Sequence, residues 1–262
     1  MSMLKIIEIT LNIETNNIQF TTLNHIMNDY LYSLLDDEYT LYLDEQILKP
    51  YTQYILKKET DIATDNLYIW RISSLNSEAT EKIIYVLMQQ LERNAIIDFS
   101  VKNNFIHAII MEKNYIHSVT YKQLLDKYFA TNRFFKQVEY QFITPWIGNS
   151  SQEIKLPQAK NILANLIANW NLFAKEYTLY EENLVAHLAE NMVLIDYDLN
   201  LKPSMYANQS IPTFTGRCGF RLINNIMSKK IIGLLSEYAN YTGLGMNTHL
   251  GFGAINTKIY RK

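Results

Sequence analysis

The five histidines of this chain are its side chains best suited to moving protons near neutral pH, because an unperturbed imidazole has a pKa close to neutrality. They are His25, His107, His117, His187 and His249. His25 falls in an amphipathic stretch, roughly 180° from the apolar stripe when each residue turns about 100°. Asp29 and Tyr32 share its face at i+4 and i+7. This spacing predicts an exposed histidine that can meet a substrate, and a solvated surface histidine is the alternative.

The other histidines have less support from their neighbours. His107 alternates with apolar residues in a predicted strand, which indicates a partly buried structural side chain. His117 and His187 have no context that points to chemistry. His249 lies among glycines near the C-terminus, where it could bind a phosphate or a base, and a part in proton transfer is the weaker interpretation.

A glycine loop surrounds His249. The chain has 8 glycines, and seven of them follow residue 215. Gly243, Gly245, Gly251 and Gly253 form two Gly-x-Gly pairs with five residues between them. Such a loop can bring backbone N–H groups close to a phosphate. A dinucleotide-binding loop is a poor alternative, because Gly-x-Gly-x-x-Gly is absent and the loop follows a predicted helix instead of a strand.

Charge is distributed unevenly along the chain. The net charge is −2, but residues 202–262 carry eight basic residues against the single acid Glu237. That segment is therefore +7 and the rest of the chain is −9. A basic end that carries a glycine loop is typical of a protein with a polyanionic partner, and a chance fluctuation on a solvated surface is the alternative.

Composition limits the class of protein. The 262 residues are 48% apolar, enough for packed cores in one large domain or two smaller ones. The single Cys218 excludes an internal disulfide and a cysteine-based zinc cluster. The sequence has no run long enough to span a bilayer and no signal-peptide core at its start, so we expect a cytoplasmic protein without membrane partners.

Hydrophobic periodicity predicts one order of elements twice, β-α-β-β-α-β. In the first half the predicted elements are a strand at 4–13, a helix at 23–35 capped by Thr21 or Thr22, strands at 51–56 and 67–73, a helix from Ser77 to about 93, and strand material at 96–111. In the second half they are a strand at 135–143 stopped by Thr144-Pro145, helices at 158–174 and 181–190, strands at 191–200 and 216–223, a helix opened by Ser228, and a strand at 252–260. A linking helix at 118–125 places the domains at 1–117 and 118–262. The fold class is α+β, with tandem ferredoxin-like (RRM-like) domains.

Several short motifs together suggest a family. They are Lys49-Pro-Tyr-Thr52, Trp70-Arg-Ile-Ser-Ser-Leu75, Phe142-Ile-Thr-Pro145, Leu156-Pro157, Leu163 to Trp170-Asn171, Phe214-Thr-Gly-Arg-Cys-Gly-Phe220 and the C-terminal glycine loop. With these motifs the chain resembles the CRISPR-associated endoribonucleases that cut precursor CRISPR RNA, the sixth Cas family of the RAMP superfamily. Two features depart from the family pattern: the residues between the glycine pairs include no Lys or Arg, and no histidine shortly precedes Lys49.

The resemblance implies a metal-independent reaction without a cofactor. The 2′-hydroxyl attacks the adjacent phosphate and leaves a cyclic phosphate and a 5′-hydroxyl. It implies His25 as the base, Tyr32 as a positioning group, and Lys49 as the group that stabilises the phosphate or protonates the leaving oxygen; a surface tyrosine and a turn lysine are the alternatives for the last two. The RNA-binding residues would be Gly243, Gly245, Asn247, His249, Gly251, Gly253, Arg217, Arg221, Lys229 and Lys230.

The implied partners are CRISPR repeat RNA, Cas proteins of an effector complex and a second copy of the chain. Because a histidine before Lys49 is absent, a non-catalytic member that holds repeat RNA stays open as an alternative. A filament-forming backbone subunit of the same superfamily is a third hypothesis.

Overall fold

The computed structural model describes residues 3–14, 18–59, 66–101, 104–130, 135–148, 156–206 and 209–261. Contacts within the chain define two units. One comprises Met3–Ser118 together with His249–Gly251, and the other comprises Val119–Thr248 and Phe252–Lys262. Each unit pairs helices with an antiparallel sheet, so the predicted α+β class with repeated ferredoxin-like domains is confirmed. Among the described residues, no helix is both long and apolar enough to cross a membrane.

The first unit contains a sheet whose described strands lie in the order β2-β3-β1-β5-β4. The elements are β1 (Met3–Glu14), α1 (Phe20–Ser33), α2 (Asp37–Glu45), β2 (Tyr51–Lys57), β3 (Leu67–Ser74), α3 (Ser77–Ala79), a π-helical segment (Thr80–Tyr85), α4 (Val86–Arg93), β4 (Ile96–Val101) and β5 (Asn104–Thr120). Alternating isoleucines and leucines of β1 pack with Ile26, Met27 and Trp70 in one core. Burial of each large apolar side chain contributes about 2 kcal/mol.

The structure corrects several details of the predicted elements in this unit. The strand material at 96–111 forms two strands, so the sheet gains an edge strand beyond the ferredoxin-like order. Helix α1 begins at Phe20 after Gln19, so the capping role predicted for Thr21 or Thr22 is wrong. Asn76, not Ser77, accepts the capping hydrogen bond from Ala79 N. Helix α2 has no counterpart in the predicted elements.

The second unit has the ferredoxin-like order without an addition: its described strands lie in the order β7-β8-β6-β9. Its elements are α5 (Tyr121–Phe129), β6 (Phe135–Trp146), α6 (Ala159–Phe173), α7 (Leu184–Glu190), β7 (Met192–Tyr206), β8 (Gln209–Leu222), α8 (Ile226–Thr242), a 3-10 turn (Thr248–Leu250) and β9 (Ile255–Arg261). Strand β6 continues past Pro145 through an irregular register. Asn225, not Ser228, caps α8. The glycine loop thus connects α8 to β9, as the sequence predicts.

Candidate nucleic-acid interface

Helix α1 has a buried polar edge beside its apolar stripe. Asn24 is fully buried there. Its Oδ1 accepts a hydrogen bond from Ile55 N at 2.9 Å, and its Nδ2 donates to Ile55 O at 3.2 Å and to Phe20 O at 2.9 Å. The side chain therefore fixes α1 against β2 through backbone groups of both elements. A buried amide with all these bonds satisfied rigidifies its surroundings.

Gln53 continues this network from β2 to the glycine loop. Its Nε2 donates to His249 O at 2.9 Å and to Asn24 O at 3.1 Å. Its Oε1 accepts from Trp70 Nε1 at 2.9 Å. Because Gln53 is buried and bonded at both ends of its amide, it holds the backbone of His249 in a fixed place in the first unit.

Gly251 also lies in the first unit, against Asn24, and it can do so because it has no side chain. A Cβ at this position would lie 2.1 Å from Asn24 Oδ1, and the residue has φ +87°. Only glycine combines that backbone conformation with so close an approach. The absence of a side chain at Gly251 therefore lets its backbone lie against the buried asparagine of α1.

The backbone N–H groups of the other loop glycines are already used within the second unit. Gly243 N donates to Ala239 O at 2.9 Å, and Gly253 N donates to Pro145 O at 2.9 Å. Gly245 N donates to Asn165 Oδ1 at 3.3 Å. The sequence suggested that such groups bind phosphate, whereas in the structure these three N–H groups bond the loop to α8, α6 and β6.

The side chain of His249 is half-buried. Its ring meets the edge of Tyr51, with centroids 6.3 Å apart and planes at 70°. Burial, followed by the positive charges of Lys49 and His25, lowers the pKa of His249 to about 4. The ring is therefore neutral at pH 7 in the absence of a ligand. The same effect places Lys49 and His25 within electrostatic reach of this ring.

His25 lies next to Asn24 on α1. The sequence pattern predicts an exposed side chain, but the structure half-buries it, and its Nε2 atom is buried. A segment from far along the chain lies near His25, since His25 and His249 act on each other electrostatically. His25 is thus enclosed beside His249 instead of lying on an open helix face.

Tyr32 joins the cluster through hydrogen bonds. It bonds with Tyr51 and with Asp44, and burial, followed by the charge of Asp44, raises its pKa to about 12. Tyr51 in turn donates to Asn28 Oδ1 at 2.7 Å. Tyr32 therefore remains protonated at pH 7 and fixes Tyr51, against whose ring His249 lies.

Lys49 has a structural task at the end of α2. Its Nζ donates to Leu43 O, to Gln46 O at 2.9 Å and, weakly, to Asp44 O at 3.5 Å. Those carbonyls belong to the C-terminal end of α2, where a cation is favourable. Burial lowers the pKa of Lys49, and Asp44 partly offsets that effect. The ammonium group is thus a fixed positive charge near His249.

The four basic residues of the predicted RNA grip do not share one surface. Arg217 and Arg221 alternate with the buried Cys218 and Phe220 on β8, so they project from the face of the sheet away from its core. Arg217 is exposed and forms an ion pair with Asp196. Lys229 and Lys230 lie in the first turn of α8, on the core side, and Lys230 Nζ donates to Phe129 O at 3.3 Å.

The remaining candidate residues lie apart from this cluster. His107 Nδ1 is 2.6 Å from Asp98 Oδ1 across the β4–β5 ladder, and its side chain is 32% exposed. His187 Nε2 lies 3.3 Å from Ser228 Oγ in the second unit. The sequence interpretation missed Asn24 and Gln53. The only local signal for Gln53 was its position in the buried half of an alternating strand.

The chain thus has two ferredoxin-like units, with a glycine loop between the last helix and the last strand. A family model described as CRISPR-associated endoribonuclease Cas6 matches residues 140–255. A Cas6 endoribonuclease of Streptococcus thermophilus is 23% identical over 227 residues, which cover 86% of this chain and 87% of the relative. Both matches confirm the resemblance to the Cas6 endoribonucleases that the sequence motifs suggest.

Solved structures agree with this family at the level of the fold. A Cas6 product complex superposes with a TM-score of 0.77 at 17% identity, covering 98% of this chain and 100% of the other. Thermus thermophilus Cas6 superposes with a TM-score of 0.65 at 16% identity, covering 98% and 99%. A RAMP protein solved with different RNA substrates has a TM-score of 0.52 at 13% identity, covering 97% and 99%.

Proposed function

We propose that this chain is a metal-independent endoribonuclease that cleaves precursor CRISPR RNA within its repeats and so generates guide RNAs. The 2′-hydroxyl loses its proton and attacks the adjacent phosphorus. The bond to the 5′-oxygen of the next nucleotide breaks, that oxygen gains a proton from water, and the protonated base returns its proton to solvent. The products are a 2′,3′-cyclic phosphate and a 5′-hydroxyl end.

The observation that best supports this reaction is the half-buried cluster of His25, His249 and Lys49 in the first unit. In the proposed roles, His25 takes the proton of the 2′-hydroxyl. Lys49 supplies positive charge to the phosphorane. The carbonyls at the end of α2 hold its ammonium group in a fixed position. Tyr32 acts through Tyr51 as a positioning residue.

His249 binds the RNA in this proposal. Its ring is neutral in the ligand-free site, and a phosphate placed beside it would favour the protonated form. The site would then hold one more cation with substrate bound than without it. The residues on β8 and α8 project from different faces, so they would contact different stretches of the repeat, or different molecules such as Cas proteins.

The test is single-turnover cleavage of a cognate repeat RNA in the presence of EDTA. Wild type should produce a cyclic phosphate end, and a single 2′-deoxy nucleotide before the mapped cut should abolish cleavage. His25→Ala should slow cleavage by about 10²- to 10⁴-fold, which is typical for the loss of a general base. The matched control is His117→Ala, on the exposed part of β5, which should retain the wild-type rate.

The second candidate function is a non-catalytic member that holds repeat RNA in an effector complex. It is favoured by the region before Lys49, which forms α2 and contains no histidine. The same assay distinguishes the two functions. Tight binding of the repeat by wild type without cleavage, with metal or without it, would overturn the endoribonuclease proposal.

A further inference from the structure

Two exposed tyrosines of the first unit flank one lysine. Lys5 lies on β1, Tyr85 ends the π-helical segment, and Tyr115 lies on β5. Lys5 Nζ is 4.4 Å from the centroid of the Tyr85 ring and 4.9 Å from the centroid of the Tyr115 ring. The same nitrogen donates a hydrogen bond to Tyr85 Oη at 3.1 Å. One ammonium group therefore makes cation–π contacts with two rings that come from different elements.

Both rings remain open to solvent in spite of these contacts. Tyr85 is 40% exposed and Tyr115 is 55% exposed. Cation–π contacts between exposed groups add little to stability, so stability does not account for the placement of two tyrosines here. Exposed tyrosines are typical of binding surfaces, because the ring offers a large rigid face and the hydroxyl tolerates water.

The backbone that presents Tyr85 is itself uncommon. Residues Thr80–Tyr85 form a π-helical segment between α3 and α4. Such segments are rare and are found frequently at functional sites. This one is anchored at its start, where the buried Thr80 Oγ1 and Ser74 Oγ are 2.6 Å apart. The position of Tyr85 is thus fixed by a rare backbone conformation that is tied to β3.

We propose that Lys5, Tyr85 and Tyr115 form a stacking site for unpaired nucleotides of bound RNA. The site is additional to the cluster around His249, and it rests on the proposed function in that its ligand is RNA. A base stacks on a tyrosine ring, and the phosphate of the same nucleotide meets the ammonium group. Among the described residues, Tyr85 Oη is the only hydrogen-bond acceptor of Lys5, so donors are left for that phosphate.

The charges near the site favour stacking over a general grip on phosphates. Apart from histidines, the π-helical segment and β5 carry two acids and two bases, which are Glu81, Lys82, Glu112 and Lys113. Those four charges cancel, so Lys5 supplies the net charge of the site. A site with one net cation makes about one phosphate contact, and its affinity then comes mainly from the rings. Unpaired RNA fits this site better than a duplex, whose bases are already stacked on each other.

The test is fluorescence anisotropy of a labelled, short 2′-O-methyl oligoadenylate with the full chain. This probe forms no hairpin and lacks the hydroxyl that cleavage requires. Tyr115→Leu removes the ring but keeps apolar bulk, and it should raise the Kd about tenfold. Tyr115→Phe keeps the ring and should bind like wild type. Lys5→Gln should lower the salt dependence of binding by about one phosphate contact, whereas Tyr115→Leu should leave it unchanged.

Tyr180→Leu is the matched control. Tyr180 is 82% exposed and lies between α6 and α7 of the second unit, so its replacement should leave the Kd unchanged. Circular dichroism checks that each variant is folded. A second measurement needs no variant: ultraviolet irradiation of wild type with the probe should form cross-links, which mass spectrometry should locate in the peptides that contain Tyr85 or Tyr115.

Three results would overturn the inference. One is a folded Tyr115→Leu variant that binds the probe like wild type, which would leave the two rings to a protein partner. Another is a Tyr115→Phe variant that binds as weakly as Tyr115→Leu. The third is a set of cross-links that contains neither peptide.

The outcome is independent of the cleavage assay, because the probe cannot be cut. A wild-type chain that never cleaves repeat RNA but shows the expected Tyr115 series would refute the endoribonuclease proposal and retain the stacking site. A wild-type chain that cleaves repeat RNA while the Tyr115 variants bind the probe equally well would do the reverse.

Discussion

Acid is expected to destabilise the first unit through His249. The ring keeps a pKa of about 4 in the folded protein, whereas an unfolded histidine has a pKa of about 6.5. Protonation therefore favours the unfolded chain. The contribution of His249 to stability is fully present above pH 6.5, and it is lost as the pH falls toward 4.

The magnitude follows from the two pKa values. At pH 5 an unfolded histidine is almost fully protonated and the folded one is mostly neutral, which corresponds to about 2 kcal/mol of lost unfolding free energy. Every other titratable group is the same in wild type and in a variant of His249. The difference between wild type and His249→Gln therefore isolates the histidine.

The measurement is urea unfolding at pH 7 and at pH 5. Between the two pH values, wild type should lose about 2 kcal/mol more than His249→Gln, which keeps the backbone carbonyl for Gln53. The control is His117→Gln, an exposed position that should follow wild type. If His249→Gln loses as much stability as wild type, the burial of the ring and its electrostatic contact with Lys49 and His25 are refuted.

Two further predictions concern positions in the loop and on β8. Gly251→Ala should lower the unfolding free energy by at least about 2 kcal/mol in urea titrations. Asn24→Ala in the same chain should recover part of that loss, because the new Cβ would clash with Asn24 Oδ1. The control is Gly219→Ala, whose Cβ would have its nearest neighbour at 3.5 Å and which should lose less than about 1 kcal/mol. Arg217→Gln should leave the melting temperature unchanged in circular dichroism, because its ion pair with Asp196 is exposed and its pair with the more buried Glu139 is long, at 3.8 Å. A clear decrease would show that these pairs stabilise the sheet.

Local patterns predicted the elements whose signal lies within a few residues. The alternation in β1 and the apolar spacing in α1 gave a strand and a helix at nearly the observed bounds. Gly243, Gly245, Gly251 and Gly253 have positive φ, and they stand where the sequence places a tight loop. Helix α2 was missed because only Tyr39 and Leu43 of it are buried, which is too weak a period to recognise.

The candidate site depended on contacts that no local pattern contains. Gln53 binds the carbonyl of His249, 196 residues further along the chain. Nothing near Asn24 indicates that a buried polar edge runs beside the apolar stripe of α1. The exposure of His25 was therefore predicted wrongly, since its cover comes from distant segments. The motif Lys49-Pro-Tyr-Thr52 pointed to Lys49, but its hydrogen bonds to the end of α2 could be identified only in the folded structure.

The assignment of His249–Gly251 to the first unit has a consequence for taking this protein apart. No single cut in the chain separates the two units, because three residues of the first are supplied from beyond residue 248. A fragment ending at residue 118 would lack the carbonyl that Gln53 bonds and the glycine that lies against Asn24. The buried amide of Gln53 would then lose one of its hydrogen bonds, so the N-terminal half depends for its completion on residues that lie far along the chain.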